Sequence, residues 1–304
     1  VNAQSGQAFS LSPPLLELAA NPGERIDATI KITNVSAGAL EMTVQANDFG
    51  SKNETGEPNI IFDDIEPTPY TLKGWINLPE TFMLESKETR TVTVPIDVPQ
   101  NAEPGGHYGV IRFTGTSAEN GDQQVSLSAS IGSLVLLRVA GDIQQSAAVE
   151  SFYTASSDFA ETSFFESSPV TFVTRIRNSG NIHIKPTGTV VVKDMFGNET
   201  ATLRMNGDPA AEKDPPGSIL PQSVRRFDTA LSDKMLFGRY TATMQLQYGD
   251  GKTLERTTTF WVVPYKPILV GIVLLGIAIF GAVWGLKRYN AYIITKAGKH
   301  GPRK

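Results

Sequence analysis

The chain has 304 residues, 40% of them hydrophobic, with 27 glycines, 19 prolines, no cysteine and a net charge of −4. That length allows more than one domain with its own core, the lack of cysteine excludes a small disulfide-stapled module, and the acidic balance argues against a nucleic-acid partner, which needs a basic patch. The charge is unevenly placed: all 31 acidic but only 21 of the 27 basic residues precede Lys287, so residues 1–286 carry −10 and residues 287–304 carry +6.

At the start, Val1-Asn2-Ala3 before Gln4 reads as the small-x-small end of a signal peptide. Residues 1–8 are therefore expected to be a signal-peptide remnant and an N-terminal arm, with Gln4 as the mature start. From Phe9 onward, short runs rich in Val, Ile, Thr and aromatics alternate at period two between turn residues. Such runs bury one face and wet the other, as half-buried strands do. They occupy residues 29–33, 91–98 and 126–131, and the pattern resumes at 170–176, 189–193 and 240–246. The expected fold class is all-β, with two tandem immunoglobulin-like β-sandwich domains, residues 9–142 and 146–264, followed by one C-terminal transmembrane α-helix.

Three landmarks recur in the same order in both halves, which points to an internal repeat. The first is a turn opened by Asn: Lys31-Ile32-Thr33-Asn34-Val35-Ser36, and Arg175-Ile176-Arg177-Asn178-Ser179-Gly180. Asn suits such a turn because its side chain bonds nearby backbone and it tolerates the left-handed region. The second is an apolar pair ahead of an Arg-bearing strand: Phe82-Met83-Leu84 before Arg90, and Ile219-Leu220 before Arg225 and Arg226. The third is Gly-x-Tyr, in Gly106-His107-Tyr108 and Gly238-Arg239-Tyr240. A tyrosine there can return its hydroxyl to the backbone and lock a sandwich corner.

The spacing from Asn to Tyr is longer in the first half, which places an extra segment at residues 47–78. Long connections in compact domains are commonly functional, so its aromatics Phe49, Tyr70 and Trp75 are candidate ligand or partner contacts, ring faces being able to stack on sugars and anchor protein interfaces. The competing reading is that these rings fill the first core. Asp63, Asp64 and Glu66 carry the oxygen ligands calcium takes, yet lack the spacing of a calcium loop, and an acidic loop is usually just solvated. Metal sites otherwise find no support. His107, His183 and His300 are too scattered for a zinc site or a catalytic set, so no enzyme activity and no cofactor are expected. His107 should lie beside the corner tyrosine, and His183 should face outward on a strand.

At the C-terminus, residues 268–286 contain no charged side chain, and about 20 such residues cross a bilayer as a helix. The span is placed at 267–287, with a basic cytoplasmic tail at 288–304. The basic flank following it puts the C-terminus in the cytoplasm and the N-terminal bulk outside. Gly281 and Gly285, four apart, match the small-residue spacing that lets two such helices approach, a route to a homo- or hetero-oligomer.

With these features together the chain resembles the WxL-interacting protein family of bacterial surface proteins. The carriers are Phe9-Ser10-Leu11-Ser12-Pro13, Asn21-Pro22-Gly23-Glu24, Pro104-Gly105-Gly106-His107-Tyr108-Gly109-Val110-Ile111, Asn178-Ser179-Gly180-Asn181-Ile182-His183-Ile184-Lys185-Pro186 and Asp194-Met195-Phe196-Gly197-Asn198. The resemblance implies a peptidoglycan-binding first domain, a host-binding second domain and a membrane anchor. The resulting expectation is a non-catalytic, membrane-anchored cell-surface binding and adhesion protein that engages cell-wall glycan or a surface protein. The alternative is a structural subunit of a larger cell-envelope complex.

Overall fold

Alternation of apolar and polar residues at period two carries through into the architecture. The structure, a computed structural model, describes residues 8–62, 68–117, 128–156, 159–208, 215–232 and 235–298. The first half supplies β1 (Phe9–Ser12), β2 (Leu15–Ala20), β3 (Arg25–Asn34), β4 (Leu40–Ser51), β5 (Pro58–Ile61), β6 (Phe82–Leu84), β7 (Thr89–Asp97), β8 (Gly105–Ser117) and β9 (Ser128–Val139). The second supplies β10 (Ala147–Ala155), β11 (Phe164–Phe165), β12 (Val170–Asn178), β13 (Thr187–Asp194), β14 (Glu199–Met205), β15 (Val224–Leu231), β16 (Gly238–Tyr248) and β17 (Lys252–Val262), followed by the helix α1 (Tyr265–Gly298).

In the first sandwich a three-stranded sheet, β1-β3-β7, faces the order β2-β9-β8-β4-β5, with β6 also on β4. In the second, β10-β12-β15 faces β11-β17-β16-β13-β14. Apart from β6, the two halves thus repeat one topology. In each, the chain starts on one sheet and crosses to the other, where it runs parallel to the last strand: β2 on β9 and β11 on β17. In the first half Pro13-Pro14 sits at that crossing, where a residue without an N–H cannot continue the ladder. The chain is two tandem immunoglobulin-like β-sandwiches followed by one long helix.

Each sandwich buries its own core. Ile30, Ile32, Met42, Val94, Ile96, Ile111 and Phe113 fill the first, and Phe172, Ile176, Val190, Val192, Met244 and Phe260 the second. The segment at 47–78 is partly strand among its described residues. Asn47 through Ser51 continue β4, residues 58–61 return as β5, and Lys73–Trp75 form one 3₁₀ turn. Asp48 holds that turn, its Oδ1 accepting the N–H groups of Leu72 and Lys73 at 2.7 Å each.

Within helix α1 lies an uncharged apolar stretch, residues 268–286, and the most apolar 18-residue window of the helix has a mean hydropathy of 2.5. None of it is buried against the sandwiches. An apolar helix with no protein cover has the length and composition to cross a bilayer.

Candidate functional site: the junction between the sandwiches

The landmarks read from the sequence meet at the ends of strands and build both the sandwich corners and the contact between the two domains. Asn34 and Asn178 are fully buried. Asn34 Nδ2 donates to the carbonyls of Gly38 and Leu84 at 2.9 and 3.0 Å, and its Oδ1 accepts the Ser36 N–H at 2.9 Å. Asn178 does the same to Ile182 and Ile219 at 2.8 and 2.9 Å and accepts the Gly180 N–H at 2.9 Å. The first landmark therefore binds the second in both halves, because a buried backbone carbonyl at a sheet end needs a donor and the Asn amide supplies two.

The third landmark behaves differently in the two halves. Tyr240 returns its hydroxyl to its own corner, accepting the Phe237 N–H at 3.0 Å. Tyr108 sends its hydroxyl across the junction instead. It accepts the His183 N–H at 2.9 Å and donates to His183 Nδ1 at 3.2 Å. A Cβ on Gly106 would lie 1.9 Å from that hydroxyl, so only glycine leaves the passage open. His183 does not face outward on a strand as expected. Its ring packs edge-on against Tyr108 at 5.7 Å, because Tyr108 needs a partner where its own corner offers none. Burial lowers the His183 pKa to about 4, so the ring is neutral and free to accept the tyrosine proton. Burial likewise pushes the Tyr108 hydroxyl up, keeping it protonated. His107 does lie beside the corner, 3% exposed, with ring nitrogens 3.1 and 2.9 Å from the Thr71 and Glu103 carbonyls.

Asn181 ties the connection itself. Its Nδ2 donates to the carbonyls of Pro104 and Asp142 at 3.1 and 2.9 Å, and its Oδ1 accepts the Gln144 N–H at 2.7 Å. The Gly106 N–H donates to the Asn181 carbonyl at 2.8 Å. Gly105, at φ +135°, has room for that carbonyl only because it lacks a Cβ.

On the other side of the junction, the β4–β5 hairpin reaches into the second sandwich. Glu54 binds Arg175 through two parallel hydrogen bonds, Nε to Oε2 at 2.6 Å and Nη2 to Oε1. The Glu54 carbonyl accepts the Arg226 N–H at 2.7 Å. The Arg175 guanidinium holds the Glu54 carboxyl below the usual carboxylate range. Arg225 lies flat between Gly56 and Gly217, where a Cβ on either would come within 2.5 Å of its guanidinium, and donates to the Ser218 carbonyl at 2.7 Å. Lys185 pairs with Glu17.

Among the aromatic candidates, Phe49 is 8% exposed and sits with Tyr108 and Leu136, against which Tyr70, Leu134 and Leu220 pack. Its ring is taken up by the junction. Trp75 packs on the first core with its ring 4.3 Å from His107. Tyr70 lies on the wall of an open cleft of about 390 Å³ shared with Pro69, Glu103, Pro104, Asp142 and Asn181. Asp63, Asp64 and Glu66 lie outside the described residues. Gly281 and Gly285 are exposed on α1, four residues apart, with open space at each Cβ position. Sequence reasoning missed Glu54, Arg175, Asn181 and His183 as junction residues. Arg175 belongs to the first landmark of the second half and Asn181 and His183 follow it, whereas nothing of the kind marked Glu54.

No family model matches the chain, and no curated protein matches it. Among solved structures it is similar to the YadV chaperone, with 8% identity over 84% of this chain and 100% of that one at a TM-score of 0.41. It is similar to the class 5 fimbriae chaperone CfaA, with 12% identity over 84% and 99% at 0.41, and to the Escherichia coli chaperone DraB, with 13% over 84% and 96% at 0.35. At such identities and scores these likenesses concern the fold alone. The resemblance to WxL-interacting proteins does not hold: no family model matches the chain, and the solved structures named above are described as chaperones. The turn and strand strings that carried it are corner and junction chemistry, which an unrelated pair of sandwiches also needs. The expectation of peptidoglycan and host binding rested on that resemblance and falls with it.

Proposed function

We propose that the chain is a single-pass, non-catalytic membrane protein that holds its first sandwich on the outer side of the bilayer as a fixed arm for a protein partner. The observation that carries this reading is the junction. A flexible tether would need no Tyr108–His183 bond, no Glu54–Arg175 pair and no Asn181 clamp, each of which fixes one sandwich on the other. The six basic residues after Leu286 favour a cytoplasmic C-terminus. Tyr70, on the open cleft with Glu103 and Asp142, is the proposed contact. Stoichiometric co-purification of the full chain from its native membrane in mild detergent tests the reading. A tight protein partner lost in Tyr70→Ala supports it, and a chain that purifies alone from every detergent sinks it. The second reading, a subunit of a larger envelope assembly, draws on Gly281 and Gly285. It predicts a partner lost in Gly281→Leu and retained in Tyr70→Ala.

A further inference from the structure

The second sandwich exposes large apolar side chains at one end. Seven are exposed among its described residues, and six of them, Phe164, Met195, Phe196, Met235, Phe237 and Trp261, lie where α1 leaves the domain. Strand register fixes this placement. Gly238, which follows Met235 and Phe237, pairs with Val262, and Phe164 pairs with Trp261. Asp194, which opens the turn bearing Met195 and Phe196, pairs with Tyr240. The opposite end of the same sheet closes with the polar hairpin Gly249-Asp250-Gly251. Single exposed apolar residues are ordinary, but a cluster confined to one end marks an interaction surface.

The turn that lifts Phe196 is built and not slack. Asp194 Oδ1 accepts the N–H groups of Phe196 and Asn198 at 2.9 Å each, Asn198 Nδ2 donates to Oδ2 at 3.0 Å, and Gly197 takes φ +86°. Phe196 is 82% exposed and Met235 fully so.

We propose that this end of the second sandwich docks on the lipid bilayer that α1 enters, with Phe196, Met235 and Phe237 inserted among the headgroups. The inference rests on α1 being membrane-spanning. Only Val263 and Pro264 separate β17 from α1, and two residues reach about 7 Å. The Val263 N–H donates to the Phe165 carbonyl at 2.8 Å and Lys266 pairs with Glu166 at 2.6 Å, so the helix start is fastened to the domain. A headgroup layer is itself about 5–8 Å deep, so a helix inserted from Tyr265 brings the tips to its level. Trp261 and Tyr265 have the amphipathic rings that settle there, and the exposed cations Lys193 and Arg239 flank the tips where lipid phosphates lie.

The chain has no cysteine, so single probes can be placed. Met235→Cys carrying an environment-sensitive fluorophore is read in the full chain, reconstituted in phosphatidylcholine vesicles doped with doxyl-labelled lipid. Ile277→Cys serves as a probe within the helix and Glu41→Cys as one on the first sandwich. The expected result is blue-shifted emission and loss of most intensity at 235 and 277 but not at 41, with the effect at 235 reversed by adding Phe196→Ser and Phe237→Ser. A water-like 235 probe beside a quenched 277 probe overturns the docking and leaves the anchor standing. Water-like probes at both positions overturn the anchor and the docking together. A 235 probe shielded from aqueous iodide yet untouched by doxyl lipid assigns the surface to another protein and likewise overturns the proposal.

Discussion

At the scale of single residues, the corner asparagines and His183 do the most with the least. Removing the Asn178 amide takes a donor from the buried Ile182 carbonyl and the acceptor from the Gly180 N–H, while the Ile219 carbonyl keeps its bond from the Ile184 N–H. Each such group costs about 1–3 kcal/mol, so Asn178→Ala is expected to destabilise the second sandwich by roughly 2–4 kcal/mol. Hydrogen exchange at β12 amides in the full chain checks this. His183 makes the junction sensitive to pH. Unfolded, the ring takes up a proton near its ordinary 6.5, and folded it resists until about 4. Stability is therefore complete above the upper value, declines as pH falls between the two, and levels off below the lower one, by at most about 3 kcal/mol for the half-buried ring. His183→Asn keeps an acceptor near the Nδ1 position without the titration, and should flatten denaturation midpoints across that window.

At the scale of elements, the β4–β5 hairpin is the strut of the junction. Glu54→Ala removes both bonds to Arg175 but spares the backbone bond to Arg226. Because both side chains are about a third exposed, the loss should be modest, about 1 kcal/mol, as for partly exposed ion pairs. The sandwiches should stay folded while the junction loosens, seen as faster exchange at Arg226 with β8 and β16 unchanged. The pair loses stability in the same direction as His183: its contribution is full above the ordinary carboxylate range and is lost as pH falls through the lowered Glu54 value. Acidification thus weakens the junction in two stages, His183 first. Gly106→Ala attacks the same contact sterically. It must displace the Tyr108 hydroxyl from His183, and fluorescence anisotropy of a probe on the first sandwich should report freer motion.

At the scale of the whole molecule, a helix fastened to the second sandwich and a second sandwich fastened to the first make orientation a property of the entire chain. With α1 in a bilayer, a cysteine at Glu41 should react with a membrane-impermeant maleimide on intact cells, and one at His300 only after permeabilisation. The reverse pattern would invert the topology that the basic tail favours. A labelling pattern equal at both positions would remove the bilayer from the account altogether.

Much of this organisation was legible in the sequence because it depends on short-range periodicity. Strand alternation, the apolar run of α1, the basic flank and the repeated Asn, apolar-pair and Gly-x-Tyr landmarks are all local signals, and, β6 apart, the repeated topology follows them. What Phe49, Tyr70 and Trp75 touch was not legible, since whether a ring meets solvent or a neighbour depends on which strands pair. Nor was the fate of the two corner tyrosines, which share a motif yet bond differently: Tyr240 finds its partner three residues away, Tyr108 seventy-five residues away on another domain. By itself the sequence determined the two sandwiches, their corners and the apolar helix, because burial pattern and turn chemistry act within a few residues. Only the tertiary structure decided that 47–78 supplies part of β4, β5 and the strut to the second sandwich, that His183 faces inward, and that six apolar tips gather beside the helix, because those outcomes depend on contacts between residues far apart in the chain.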